Sequence, residues 1–141
     1  MSYIQAQAGT PPNRALNWSL WGVQILLALL YGAAGFMKNT QPIAALAQAM
    51  IWPGDVPTAL VRFVGVSELA GALGLILPAL TRIAPRLTPL AAAGLLLIQF
   101  LAIGFHISRG ELGVLPFNVV LALLAAFVIW GRLVKAPIAP R

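Results

Sequence analysis

Residues 89–107 read PLAAAGLLLIQFLAIGFHI, and among them only Gln99 and His106 carry hydrogen-bonding side chains. These 19 residues include no charged side chain. As an α-helix they would extend about 28 Å, close to the roughly 30 Å of hydrocarbon in a bilayer. A segment in hydrocarbon must satisfy its own backbone hydrogen bonds, which an α-helix does. The stretch therefore predicts a membrane-spanning helix.

Three further apolar stretches of similar length lie at residues 18–37, 58–80 and 114–133. The chain has 141 residues, of which 60% are hydrophobic and 9% are charged, whereas a soluble domain carries about 25% charged residues. Its mean hydropathy is +0.91. A soluble domain of this length could not bury so many apolar side chains. The composition excludes a small soluble enzyme and predicts an integral membrane protein.

The stretches define an all-α fold, a membrane four-helix bundle over residues 16–134 with tails at 1–15 and 135–141. Between the first two spans, residues 42–52 predict a short interfacial helix, because eleven helical residues reach only about 16 Å. This segment is either a cap over an outward opening or a plain connector. Thr88 followed by Pro89 predicts a helix N-cap and first residue. Four tryptophans near the span ends predict aromatic belts: Trp18, Trp21, Trp52 and Trp130.

The net charge is +6, but the basic residues lie singly or in pairs at the edges of apolar stretches. A nucleic-acid site would gather them on one polar face, so no nucleic-acid partner is expected. Six basic residues and no acid lie in or beside the tails and the loop at 81–87: Arg14, Arg82, Arg86, Arg132, Lys135 and Arg141. The other side holds Lys38 and Arg109 with Asp55 and Glu111. The positive-inside rule therefore predicts that both termini are cytoplasmic.

Cysteine and histidine counts restrict the chemistry. The chain has no cysteine and one histidine. It therefore cannot form a disulfide, a cysteine nucleophile or an iron–sulfur centre, and it cannot supply two histidines to haem or three to zinc. We expect no covalently bound cofactor.

Polar side chains within the spans are costly and therefore informative. On the first helix Gln24, Tyr31 and Lys38 lie on one stripe, and on the second Glu68 lies near the middle of the membrane. On the third helix Gln99, His106 and Arg109 share a face, and Asn118 lies in the first turn of the fourth. Turned inward, these stripes would overlap in the outer half of the bundle. The pattern predicts a cavity between helices that opens outward.

Glu68 is the foremost candidate, because an intramembrane carboxylate needs a partner or a special environment. Lys38, His106 or Arg109 could supply that partner from another helix. Arg62 lies six positions earlier on a different face of the same helix, so we expect its side chain to extend outward. Glu68 could belong to a functional site, or it could form a buried ion pair that locks the helices in register. Likewise, His106 could be an interfacial side chain or a donor to a ligand carbonyl.

Several motifs together resemble the DoxX-like family. They are YGAAGFMK at residues 31–38, RFVGVSELAGALGLILP at 62–78, AIGFHISRGE at 102–111 and WGR at 130–132. The resemblance covers residues 18–132 and implies a small bacterial inner-membrane protein with four transmembrane helices. The family's name comes from a subunit associated with a thiosulfate:quinone oxidoreductase. Its Gly-x-x-Glu and His-x-x-Arg positions fall on Gly65 with Glu68 and on His106 with Arg109.

These observations lead to one hypothesis and two alternatives. The hypothesis is a quinone or other lipophilic small molecule bound in the outward-opening pocket, serving a membrane redox partner. Glu68 and His106 would be catalytic, and seven residues would contact the ligand: Gln99, Tyr31, Gln24, Arg109, Asn118, Lys38 and Arg62. The alternatives are a cofactor-free enzyme in which Glu68 and His106 perform acid–base isomerisation, and a non-catalytic assembly subunit. We expect the lipid bilayer to surround the protein. The small-residue faces of its helices could pack against a second copy of the chain or against another membrane protein.

Overall fold

The computed structural model describes residues 13–141 of the chain, so most of the predicted tail at residues 1–15 lies outside the described residues. In the described part the chain forms five α-helices and no strand. They are α1 (Arg14–Thr40), α2 (Ile43–Met50), α3 (Thr58–Thr81), α4 (Leu87–Ser108) and α5 (Leu115–Trp130). Short 3₁₀ turns at Trp52–Gly54 and Leu112–Val114 precede α3 and α5, and Gly131–Lys135 extends α5 as a wider π-helical turn.

Four of these segments are long and apolar enough to cross a membrane. They are Arg14–Thr40, Thr58–Thr81, Leu87–Ser108 and Leu112–Lys135. The prediction of an all-α membrane four-helix bundle is therefore confirmed, and the chain is a multi-pass membrane protein. The short helix between the first two spans is Ile43–Met50, three residues shorter than predicted because the chain turns at Trp52–Gly54.

Helix α1 is longer at both ends than its apolar stretch. It begins at Arg14 because the Asn13 side chain accepts hydrogen bonds from the backbone N–H groups of Ala15 (3.0 Å) and Leu16 (3.3 Å). At the other end the helix continues to Thr40, just before Gln41 and Pro42. A residue that precedes proline is disfavoured in helical geometry, so the helix stops there.

The four spanning helices form a closed ring. Helix α1 packs on α3, α3 on α4, α4 on α5, and α5 returns to α1. The apolar centre contains Leu27, Tyr31, Leu75, Leu95, Leu121 and Val128, while Phe63, Leu101 and Leu123 are each about two-thirds exposed on the outside. Apolar side chains face outward as a bilayer requires. We call the end of the ring with Arg14 and the carboxyl-terminal segment the terminal side, and the end with α2 the connector side.

A proline near the end of α3 explains one unexpected contact. Pro78 has no N–H, so the carbonyl of Gly74, four residues earlier, loses its usual helical partner. The Thr88 hydroxyl donates to that carbonyl at 3.1 Å. The prediction that Thr88 is an N-cap was wrong, because α4 begins at Leu87 and the Thr88 side chain is drawn to the neighbouring helix.

Candidate functional site

A cavity of about 300 Å³ lies between α3 and α4 on the connector side. Helix α3 contributes side chains from its first three turns, including Leu60, Phe63 and Ser67, and α4 contributes side chains from its second half, including Leu101 and His106. The lining is aliphatic and aromatic apart from Ser67 and His106. The Ser67 hydroxyl already donates to the Phe63 carbonyl at 2.9 Å. His106 is therefore the principal polar group that a ligand in this cavity would meet.

The cavity opens sideways through the wall of the bundle. Three lining side chains lie on the outer surface of the ring, with exposed fractions of 45% for Leu60, 67% for Phe63 and 66% for Leu101. Because this surface faces lipid, a hydrophobic molecule could pass between α3 and α4 without crossing water. The geometry fits a ligand drawn from the membrane.

Trp52 covers the cavity on the connector side. Its ring lies edge-on to Phe105, with centroids 6.2 Å apart and planes at 76°, and both side chains line the cavity. Ile51 reverses the chain in the left-handed region at φ 68°, which directs the turn at Trp52–Gly54 over α4. Of the predicted segment at residues 42–52, only Trp52 lines the cavity, so the turn after α2 covers it and the helix itself does not. Trp52 was predicted as part of an aromatic belt, so sequence reasoning missed its place in the cavity wall.

His106 connects the cavity to a group of charged residues on the connector side. Its Nδ1 lies 3.4 Å from Oε2 of Glu111, and only 12% of its side chain is exposed. The Arg109 guanidinium donates to Asp55 at 2.5 Å and also to Glu111. We call Asp55, His106, Arg109 and Glu111 the loop cluster. The loop cluster joins the loop before α3 to the loop after α4, next to the cavity.

Arg109 and Glu111 shift each other's ionisation. Hydrogen bonds to Asp55 and Glu111 raise the pKa of Arg109. The hydrogen bond from Arg109 lowers the pKa of Glu111 below its usual value of 4.5. Arg109 was predicted to contact ligand or to pair with Glu68. The structure places it in the loop cluster instead, and it does not line the cavity.

The lowered pKa of Glu111 predicts a sensitivity to acid. A carboxyl group whose pKa is lower in the folded state stabilises folding above its unfolded pKa, and this contribution is lost as pH falls through the folded pKa. We therefore expect the melting temperature in detergent to fall below about pH 4.5. Glu111→Gln should flatten part of that fall, whereas Ser108→Ala on the same exposed turn should leave it unchanged. Melting curves between pH 3 and 7 test this, and equal slopes for wild type and Glu111→Gln would contradict it.

Glu68 has a partner of its own, away from the cavity. The Lys38 Nζ lies 3.0 Å from Oε1 and 2.9 Å from Oε2 of Glu68, and each side chain is only 7% exposed. The Lys38 Nζ also lies 6.0 Å from the centre of the Trp52 ring. Of the three partners considered for Glu68, the structure selects Lys38. Glu68 does not line the cavity with His106, so the predicted acid–base pair does not form there.

Arg62 was predicted to extend outward, but its side chain turns back against the end of α1. Its Nη1 donates to the carbonyls of Lys38 at 2.5 Å and Gln41 at 2.9 Å. The last carbonyls of a helix lack partners within the helix and carry partial negative charge, so a guanidinium from a neighbouring helix satisfies them. Arg62 therefore ties α3 to the end of α1 and fixes the position of Lys38.

The remaining predicted ligand contacts form hydrogen bonds between helices or lie in the core. Nε2 of Gln99 donates to the Tyr31 hydroxyl at 2.6 Å, and Asn118 is buried in the first turn of α5. Gln24 lies nearer the terminal side, where it donates to the Leu75 carbonyl at 2.7 Å and accepts from Arg132 at 2.7 Å. None of these side chains lines the cavity. Among the predicted site residues, only His106 does.

Comparison with known proteins identifies a family. Residues 22–128, well over half of the chain, match the model of the DoxX-like family. Curated proteins and solved structures give no significant match to this sequence.

Proposed function

Because this chain belongs to the DoxX-like family and has four membrane-spanning helices, we propose that it binds a lipophilic small molecule of the quinone class for a membrane redox system. The ligand occupies the cavity between α3 and α4. The observation that carries the proposal is an apolar cavity, open to the lipid side, with one histidine in its wall.

The size and lining of the cavity favour a ring with an apolar tail. A volume of about 300 Å³ is at the lower end of the range for ligand pockets. It suits a single substituted ring, while the tail leaves past Phe63 and Leu101 into the hydrocarbon. Aromatic side chains such as Trp52 and Phe105 provide flat surfaces for the ring to pack against. His106 provides polar recognition at a carbonyl of the ring.

His106 lies beside a carboxylate of the loop cluster. A carboxylate beside one imidazole nitrogen orients the ring and favours a proton on that nitrogen. Glu111 lies beside Nδ1 of His106. An imidazole nitrogen that carries a proton can donate to a carbonyl oxygen of the ligand. The electrons would come from a partner protein, because the chain has no cysteine and a single histidine and offers no haem or iron–sulfur ligation of its own.

The membrane orientation is part of the proposal. The terminal side carries the six basic residues of the tails and the α3–α4 loop, whereas Asp55 and Glu111 lie on the connector side. The positive-inside rule then places both termini in the cytoplasm of a bacterial cell and the cavity in the outer half of the inner membrane. A ligand in the outer leaflet would reach the cavity directly.

Calorimetric titration of the purified protein in detergent tests the proposal. The probe is a benzoquinone with a short alkyl tail, compared with an alkylbenzene that has the same tail and no carbonyl. Ala102→Phe fills the cavity and should weaken quinone binding at least about tenfold, which corresponds to ~1.4 kcal/mol. Ala93→Phe is the matched control, because Ala93 is exposed on the same helix and does not line the cavity.

His106→Leu separates recognition of the ring carbonyl from apolar binding. It should remove most of the preference for the quinone over the alkylbenzene while leaving the alkylbenzene affinity nearly unchanged. The proposal fails if wild-type protein does not bind the quinone saturably, or if Ala102→Phe and Ala93→Phe bind it equally well.

A further inference from the structure

A second cavity, of about 790 Å³, lies on the terminal side of the bundle. One wall is the loop between α3 and α4, at Ala84–Arg86, and the other is the segment after α5, from Leu133 to Pro140. Two hydrogen bonds hold the walls together: Arg82 Nε donates to the Ala139 carbonyl at 2.8 Å, and the backbone N–H of Arg141 donates to the Arg82 carbonyl at 3.2 Å. The segment at 135–141, predicted as a tail, is thus one wall of a defined cavity.

Arg132 lines this cavity and is almost fully buried, with 4% of the residue exposed. Its Nε donates to Gln24, and its Nη1 donates to the side chain of Asn17 (2.7 Å) and to the Ala136 carbonyl (3.1 Å). All three acceptors are neutral. Nη2 is buried and has no hydrogen-bond partner within residues 13–141.

The positive charge of Arg132 therefore has no counterion in the described structure. The only acidic side chains of the chain are Asp55, Glu68 and Glu111. Glu68 is paired with Lys38, and the other two belong to the loop cluster on the connector side. A buried charge without a compensating charge is strongly unfavourable. Arg86 also lines the cavity and adds a second positive charge, so the site favours an anion.

We propose that this cavity binds the phosphate group of an anionic glycerophospholipid. Guanidinium groups match the geometry of phosphate oxygens, and basic pockets at the ends of membrane helices bind lipid headgroups. The cavity lies at the end of the spanning segments, at headgroup depth. Leu133 and Ile138 in its lining provide apolar surface for the glycerol and upper acyl chain, which a free phosphate ion would leave exposed. This site is independent of the proposed quinone cavity.

The test uses thermal unfolding of the full-length protein in a neutral detergent. One series adds phosphatidylglycerol at increasing mole fraction. A second series adds phosphatidylcholine at the same mole fractions, and a third adds inorganic phosphate alone. Wild-type protein should gain several degrees of melting temperature with phosphatidylglycerol and little with the other two. An equal gain with phosphatidylcholine would overturn the proposal. An equal gain with inorganic phosphate alone would assign the site to a free anion and overturn its lipid part.

Matched variants locate the effect without disturbing the core. Arg86→Gln should weaken phosphatidylglycerol binding at least about tenfold, because it removes a charge-assisted hydrogen bond from a guanidinium group to the phosphate. Lys135→Gln removes one charge from the same side at an exposed residue that does not line the cavity, and it should change the affinity by less than about twofold. Equal losses in the two variants would indicate general surface attraction and would contradict a built site.

Discussion

Replacing Lys38 with methionine should lower the free energy of unfolding by about 3–5 kcal/mol, because it leaves the Glu68 carboxylate buried without its charged partner. Both oxygens of Glu68 are bound by the same ammonium group, at 2.9 and 3.0 Å, and the pair is 7% exposed on each side. Few water molecules can therefore replace the missing charge. Glu68→Leu should cost a similar amount, because it leaves the ammonium of Lys38 alone.

The double variant Lys38→Met with Glu68→Leu distinguishes a pair from two separate contributions. Replacing both charges with apolar groups of similar size removes the cost of desolvating them, so the double variant should recover most of the stability lost in either single variant. Denaturant unfolding in detergent measures the four proteins of this cycle. Asp55→Asn is a control, because its partner Arg109 lies in an exposed ion pair that should matter little. Additive losses in the double variant would contradict the interpretation.

The spans were predictable from sequence because the thickness of a bilayer imposes a length on every crossing helix. The partner of Glu68 could not be predicted from the sequence. Most positions of a spanning helix are apolar, so the hydrophobic pattern does not fix how each helix is rotated about its axis. Lys38, His106 and Arg109 were equally acceptable on that basis. Gly35 and Gly65 decide the matter, since their close approach brings the end of α1 against α3 and places Lys38 opposite Glu68.

The polar side chains of α1 lie on one stripe, as predicted. The prediction that this stripe lines a single cavity was wrong. Gln24 and Lys38 are fourteen positions apart, which is about 21 Å along a helix. They therefore meet different partners, Arg132 at one end and Glu68 at the other. From the sequence, Arg132 served to predict the membrane orientation and, within WGR, to support the family resemblance, and it was not predicted as a site residue. Its burial depends on the wide turn after α5, which apolar periodicity does not encode.

The cavity itself left weaker signals in the sequence. Trp52 was assigned to an aromatic belt because tryptophan near a span end usually lies there. The signal that could have suggested otherwise is Pro53-Gly54 directly after it, which favours a tight turn and can direct a bulky side chain back over the bundle. His106 was found because a lone histidine in an apolar stretch stands out. Its neighbour Phe105 was not predicted as part of the site, because aromatic residues are common in membrane-spanning segments.

The approach of α1 to α3 should tolerate almost no added volume. A Cβ atom built on Gly35 would lie 2.6 Å from the carbonyl oxygen of Gly65 and 2.9 Å from Cγ of Leu69. A backbone carbonyl cannot rotate away as a side chain can, so the helices must separate. We expect Gly35→Ala to lower the free energy of unfolding by about 2–3 kcal/mol. This loss should come with a weakened coupling between Lys38 and Glu68, since the pair spans the same interface.

Gly104→Ala is the matched control, because a Cβ atom there would meet nothing within 4 Å. Alanine favours helix over glycine by up to about 1 kcal/mol, so this variant should be neutral or more stable. Denaturant unfolding of both variants, followed by the Lys38→Met and Glu68→Leu cycle in the Gly35→Ala background, measures stability and coupling together. If Gly35→Ala is as stable as wild type, the helices do not meet as closely as the structure indicates. If both variants lose stability equally, glycine contributes through helix flexibility and the close approach of α1 to α3 is not the cause.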